Sequence, residues 1–423
     1  MRCLCVLLAV TLSALAQQPL QLSLADAERL AVQNNPQFSA ARNVAAAANQ
    51  VPLEYRAGLL PNVTGAITGV GADSGSRLAA GALNNPVIYN RLGTGLIANQ
   101  LITDFGRTRD LIDSAKLRAQ AQDQATEATR ANILIATARA YYALLRARAV
   151  LTVAQQTVSA RQLVVDQVTA LANSNLKSQL DVSFASVNLS DAQLLLVQAE
   201  NSVKAAEADL ANALGLPSQT SFVVQEQPTP EALLSDVTPL VAQAIRDRPE
   251  LKDLRLEQNS AERFAKAEHA LYYPTLSATG TAGFVPAGEA AVPGRYGAVG
   301  MNLNIPVFSG GLFRARQAEA ESKATAASDN VNDLANRVTR DVRVAYLDAQ
   351  TAFERVGLTD QLLKQAQLAL DLASGRYDLG LSSIVELSQA QLNLTAAQIG
   401  SASARYEYQL QRAVLNYQTG VLR

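Results

Sequence analysis

The chain has 423 residues with 36 Lys+Arg against 37 Asp+Glu, so no overall field recommends nucleic acid or an anionic surface as its partner. Its length allows two or three ordinary domains. Trp is absent, aromatics are 5% and Ala is abundant, which favours closely packed long helices over a bulky globular core.

The first stretch, MRCLCVLLAVTLSALAQ, has one basic residue, an apolar run and the small-residue site Ala14-Leu15-Ala16. This is the pattern of a secretory signal over 1–16, cleaved between Ala16 and Gln17, and too short for a spanning helix. Cys3 and Cys5 both lie inside it, so the mature chain is expected to have no thiol, disulfide or lipidated cysteine. Beyond residue 16 no apolar run approaches the roughly 18–20 residues of a transmembrane helix. Membrane entry, if any, is therefore expected through strands.

The remainder reads as a duplication. Positions 205 apart pair Gly106 with Gly311, Tyr141 with Tyr346, Asn188 with Asn393 and Gly215 with Gly420. Nearer the start, Pro36 pairs with Pro249 and Pro61 with Pro274 at an offset of 213. The first copy thus holds extra residues between Pro61 and Gly106, as a lengthened loop would.

In chain order, the first repeat (17–216) carries a short helix at 25–34, a helix at 36–58 stopped by Pro61, and strands at about 62–73 and 92–104. A very long helix over 107–171, a tight turn and a helix over 179–214 follow. A proline-rich linker at 217–237 contains one strand, Phe222–Gln225. The second repeat (238–423) places helices at 238–247 and 249–271, strands at about 275–284 and 295–308, then helices over 311–377 and 382–418. In the long helix, Val342, Ala345, Ala349, Ala352 and Val356 begin a 3,4 spacing that continues to Ala373. Its counterpart runs from Thr137 to Val168 and includes Arg161. Sustained 3.5-residue spacing means coiled-coil packing.

The strand 295–308 alternates: Val299, Met301, Leu303 and Ile305 take one side, Ala298, Gly300, Asn302 and Asn304 the other. Leu96 and Ala98 form an apolar side in 92–104, broken by Gln100. Apolar-out, small-or-polar-in runs of this length mark membrane barrel strands, although a sheet on a soluble core alternates in the same way. Four strands cannot close a barrel, so a barrel needs several chains.

The two long helices each lead into a turn followed by an acid. Residues 376–394, RYDLGLSSIVELSQAQLNL, run in step with 171–189, LANSNLKSQLDVSFASVNL. Gly380 and Asn175 supply the residue that accepts φ > 0, and Glu386 and Asp181 each follow six positions later. An acid there also suits a helix N-terminus.

Three other motifs lead nowhere. Asp104-Phe105-Gly106 lacks the lysine and catalytic loop of a kinase. Gly69-Val70-Gly71 lacks the Gly-Lys-Ser/Thr of a phosphate loop. His269 is the sole histidine, so no His-based metal cluster or Ser-His-Asp triad is available.

Signal, duplication, strand pairs feeding long helices, and acids beyond the turns together resemble the TolC-like outer-membrane efflux proteins. The resemblance spans the mature chain. It rests most on Asp104-Phe105-Gly106-Arg107, Phe308-Ser309-Gly310-Gly311 and Gly380-Leu381 with Glu386 and Ala390-Gln391. It implies an α+β membrane fold of duplicated strand pairs and long helical hairpins. In a homotrimer these would build a 12-stranded β-barrel in the outer membrane, continuous with an α-helical periplasmic tunnel.

Such proteins are exit ducts of tripartite efflux or type I secretion systems. They dock a periplasmic adaptor (membrane fusion protein), and through it an inner-membrane pump, and do no chemistry and need no cofactor. The resemblance further implies docking tips at Gly380, Leu381, Ser382, Asn175, Leu176 and Lys177. It implies a periplasmic aperture at Glu386, Gln389 and Asp181, and a link between hairpins from Tyr377 to Asp181. Gln389 stands where the family carries a second acid, and Ser382 where it carries a basic partner. The competing reading is a secreted coiled-coil structural or adaptor protein, which explains heptads and signal but not the recurring strand pair.

Overall fold

The computed structural model describes residues 20–77, 87–217, 222–228, 231 and 236–422. The expected signal and its Ala16/Gln17 cleavage site lie outside these residues.

Each repeat is a strand pair followed by a hairpin of two helices. The first contains α1 (Leu24–Asn34), α2 (Pro36–Ala48), α3 (Val51–Ala57), β2 (Asn62–Val70), β3 (Arg91–Thr103), α4 (Arg107–Asn173) and α5 (Gln179–Ala213). The second contains α6 (Thr238–Asp247), α7 (Pro249–His269), β5 (Thr275–Gly288), β6 (Arg295–Asn304), α8 (Leu312–Asp378) and α9 (Ile384–Gln418). Two short strands, β1 (Leu20–Leu22) and β4 (Phe222–Val224), pair in parallel. The α4 and α8 helices are 67 residues each, about 100 Å of helix apiece.

Two expectations need correction. The helix expected over 36–58 is broken at Asn49 and Gln50, because Pro52 opens a new helix and the Asn49 amide turns back onto Ala45 O at 2.9 Å. Against the expectation of no such segment beyond residue 16, α5 is long and apolar enough to cross a membrane by length and composition. Few of its residues are buried within the chain: Ala185, Ala192, Ala199 and Ala206 recur every seventh position on the covered side. Leu180, Phe184, Val187, Leu194 and Val197 are exposed on the other. Ser183, Ser190 and Asp191 lie among these on the same side, so the helix is apolar on average without carrying an unbroken apolar run.

Repeated chemistry sets the element ends. Strand passes into helix through two consecutive left-handed residues, Phe105 and Gly106 (φ 54° and 99°) in one copy and Gly310 and Gly311 (62° and 84°) in the other. In the first junction Asp104 accepts from the Thr108 amide at 2.7 Å, capping α4.

The described residues divide into two compact units, one drawn from 20–39, 129–247 and 338–422 and the other from 40–128 and 248–337. The first has its core around Leu22, Tyr141, Leu144, Leu210, Leu214 and Phe222, all fully enclosed. The Tyr141 hydroxyl lies 2.6 Å from Gln225 O and 3.1 Å from Leu22 O, next to the β1–β4 pair. Burial pushes the neighbouring Tyr142 phenol up to about 12, with Tyr141 and Glu28 adding to the effect.

The second unit holds an antiparallel sheet in the order β2-β3-β5-β6, so β2 and β6 are its edges. Its register puts Ala98, Gly280 and Val299 in one row and Leu96, Ala282 and Gly297 in another, on the same face. Met301 and Leu303 continue that face, and Val299 and Met301 are 89% and 68% exposed. Ile305, also exposed, lies just past the end of β6. Gln100 shares this face, and its amide donates to Leu59 O at 2.8 Å, which accounts for the polar break in the row. On the opposite face Tyr296 lies across Gly283 and Gly95, where a methyl group on either glycine would collide with it.

Candidate functional site

The two turns are built identically. Leu176 N donates to Leu171 O at 2.9 Å and Asn175 N to Ala172 O at 2.9 Å. Leu381 N donates to Arg376 O at 2.8 Å and Gly380 N to Tyr377 O at 3.0 Å. These are paired 6→1 and 5→2 helix-end bonds, closed by left-handed Asn175 (φ 59°) and Gly380 (φ 73°). Ser178 and Ser383 then cap the returning helices by accepting from Asp181 N and Glu386 N.

The hairpins come together in the first unit through a small core of Val168, Tyr377, Ile384 and Leu387, flanked by Val164, Val182 and Leu370. Above it the Asn188 amide donates to Ser388 Oγ at 2.7 Å, a bond between residues 200 positions apart. Both positions are polar in an otherwise Ala- and Leu-lined seam, so the bond fixes the stagger of one hairpin against the other.

The acids, equivalent in sequence, behave differently. Asp181 closes a capping box, its Oδ2 accepting from Ser178 N at 3.0 Å and from Ser178 Oγ at 2.9 Å. Glu386 makes only the 3.4 Å backbone contact with Ser383, and its carboxylate turns instead to Arg376, with Oε1 3.4 Å from Nε. The Gln389 amide donates to Asn393 Oδ1 at 3.0 Å on the exposed side of α9.

Tyr377 and Asp181 lie near each other, but the expected bond between them is not made within this chain. The Tyr377 hydroxyl is enclosed without a hydrogen-bond partner, while Asp181 is engaged by Ser178. Burial, then the charges of Asp181 and Asp378, raise the phenol above its ordinary range. What joins the hairpins there is Lys177, whose ammonium sits 3.9 Å from the centre of the Tyr377 ring. Leu176 and Leu381 project with 70% and 67% exposure, and the Ser382 hydroxyl is enclosed and unpartnered. Sequence reasoning missed Arg376 and the true contact of Lys177. The signal available was a cation one position before Tyr377 and another at the first turn, neither with a counterpart at the matching place in the other repeat.

No group of three or more His, Asp or Glu side chains capable of holding a metal occurs among the described residues. Known proteins match this chain over almost its whole length. The Outer membrane efflux protein family matches residues 28–216 and 240–421. The chain belongs to that family.

This outer membrane efflux protein is 25% identical over 387 residues to Outer membrane protein TolC of Salmonella enteritidis, covering 87% of this chain and 76% of that one. It is 23% identical over 429 residues to the alkaline protease secretion protein AprF of Pseudomonas aeruginosa, covering 96% and 86%. Its fold matches the outer-membrane channel OprN with a TM-score of 0.84 at 18% identity, over 94% of this chain and 89% of that one. The efflux protein is therefore an outer-membrane channel of tripartite efflux or type I secretion systems, and transports without catalysing a reaction. Family membership implies trimeric assembly. The α+β fold of long hairpins and duplicated strand pairs follows the same channels.

Proposed function

We infer that three copies of the 376–394 and 171–189 hairpin tips surround the periplasmic mouth of the duct, with Glu386 as its acidic ring. Asp181 and Gln389 stand nearby as polar neighbours. The observation that carries this reading is the contrast between the two acids. Asp181 is consumed by its own helix cap, whereas the Glu386 carboxylate is half-exposed and held away from its cap.

Three carboxylates converging on one axis would attract cations strongly, because like charges cannot be separated where a pore narrows. The projecting tip residues Leu176 and Leu381, with Asn175, Lys177, Gly380 and Ser382 around them, form the docking end for a periplasmic adaptor, which connects the duct to an inner-membrane pump. Tyr377 serves as the pivot between hairpins, in reach of Asp181 when the tips move. The exposed side chains Leu180, Phe184, Val187, Leu194 and Val197 of α5 pack against the next copy, since a row of large apolar residues on a long helix needs a partner. Val299, Met301, Leu303, Ile305, Leu96 and Ala98 face lipid in the closed barrel.

The test is polyamine block of single channels in planar bilayers. Glu386→Gln is expected to weaken spermine block on the periplasmic side. Block equal to that of the unaltered protein removes Glu386 from the constriction.

A further inference from the structure

The aperture acid does not act alone. Arg376 lies ten residues before Glu386, across the turn, and its guanidinium is anchored at two points. Nε is 3.4 Å from Glu386 Oε1, and Nη2 donates to Leu381 O at 3.5 Å. The backbone carbonyl of Arg376 in turn accepts from Leu381 N at 2.8 Å. Leu381 is thus held by both ends of Arg376, so the position of the cation is tied to the geometry of the turn and not to the ion pair alone. The first copy has no such arrangement: the position matching Arg376 is Leu171, and Asp181 is capped by Ser178.

We propose that Arg376 is a specificity-determining residue of the duct, a counter-charge built into each hairpin that sets how strongly the Glu386 ring attracts cations. The proposal rests on the reading of Glu386 as the aperture acid. A carboxylate facing an open pore unpaired presents its full charge to a passing cation, whereas one paired in its own hairpin presents a dipole, whose field falls off faster. In a trimer the pairs repeat three times around the axis and act on the same cation. The mouth then discriminates weakly between cationic and neutral solutes while keeping polar, hydrated walls. Solutes of either kind would pass, as suits a duct whose pump does the selecting.

The experiment compares spermine block of single channels formed by the full-length trimer and by Arg376→Gln, Arg376→Lys, Glu386→Gln and the double variant Arg376→Gln/Glu386→Gln. Arg376 is more than half exposed, so its substitution leaves the fold intact. Arg376→Gln is expected to tighten block roughly tenfold, as removing three nearby unit charges should. Arg376→Lys should remain near the unaltered value. The double variant should fall between the two single Gln variants, because Glu386→Gln alone leaves three uncompensated cations that repel spermine whereas the double variant leaves none. If Arg376→Gln leaves block unchanged while Glu386→Gln weakens it, the aperture reading stands and the role of Arg376 is overturned. If Glu386→Gln itself changes nothing, both fall.

Discussion

The ammonium of Lys177 rests 3.9 Å from the centre of the Tyr377 ring, so the first hairpin is joined to the second through the face of an aromatic residue and not through its hydroxyl. A cation over an aromatic face at a partly exposed site contributes about 0.5–1 kcal/mol. The Tyr377 ring also fills the core with Val168, Ile384 and Leu387. Tyr377→Phe is therefore expected to leave resting conductance nearly unchanged, since the lost hydroxyl has no partner. Lys177→Gln should raise it. A large conductance increase in Tyr377→Phe with none in Lys177→Gln would show the hydroxyl to be the link.

At Tyr141 the hydroxyl does matter. It lies 2.6 Å from Gln225 O and 3.1 Å from Leu22 O, inside a core with no water-facing alternative. Tyr141→Phe leaves buried carbonyl capacity unmet and should cost about 1–2 kcal/mol. In a thermal scan of the detergent-solubilised protein the apparent midpoint should fall by about 2–4 °C.

Glu268 is enclosed between Arg107 at 3.8 Å and Arg316 at 3.2 Å, where the starts of α4 and α8 meet the end of α7. Replacing it with Gln keeps the volume and leaves two cations facing each other. Both arginines reach solvent in part, which moderates the cost to about 2 kcal/mol, below that of breaking a fully buried pair. Limited proteolysis should then cut faster near 107 and 316 than in the unaltered protein.

Burial, followed by the charges of Glu257 and Glu250, lifts the Asp253 carboxyl to about 6. Its folded-state value exceeds its ordinary one, so the folded form binds the proton more tightly. The associated stability is full below pH 4 and is lost as pH rises through about 6. The carboxyl is partly open to solvent and so screened, which holds the effect to about 1 kcal/mol. Asp253→Asn should raise the thermal midpoint at pH 8 and leave it near the unaltered value at pH 4. An equal gain at both pH values would mean the effect is not ionic.

Local chemistry in the sequence determined the repeat, the turns and the sheet faces. Asn175 and Gly380 take up positive φ, Phe105-Gly106 and Gly310-Gly311 turn strand into helix, and the alternation from Val299 to Leu303 becomes one exposed face. Each of these depends on residues within a few positions of one another, where backbone sterics and strand periodicity leave few choices. The family resemblance was legible for the same reason, because those short segments recur in fixed order.

Tertiary structure alone decided which of two matching acids would be spent on its own helix. Asp181 is one methylene shorter than Glu386 and folds back onto Ser178, while Glu386 reaches across the turn to Arg376. It also decided that Lys177 would meet Tyr377 and that Asn188 would find Ser388, 200 residues away. A repeat fixes which residues correspond, but a contact depends on how two hairpins stagger. That stagger is set by packing between faces far apart in the chain, which no local pattern encodes.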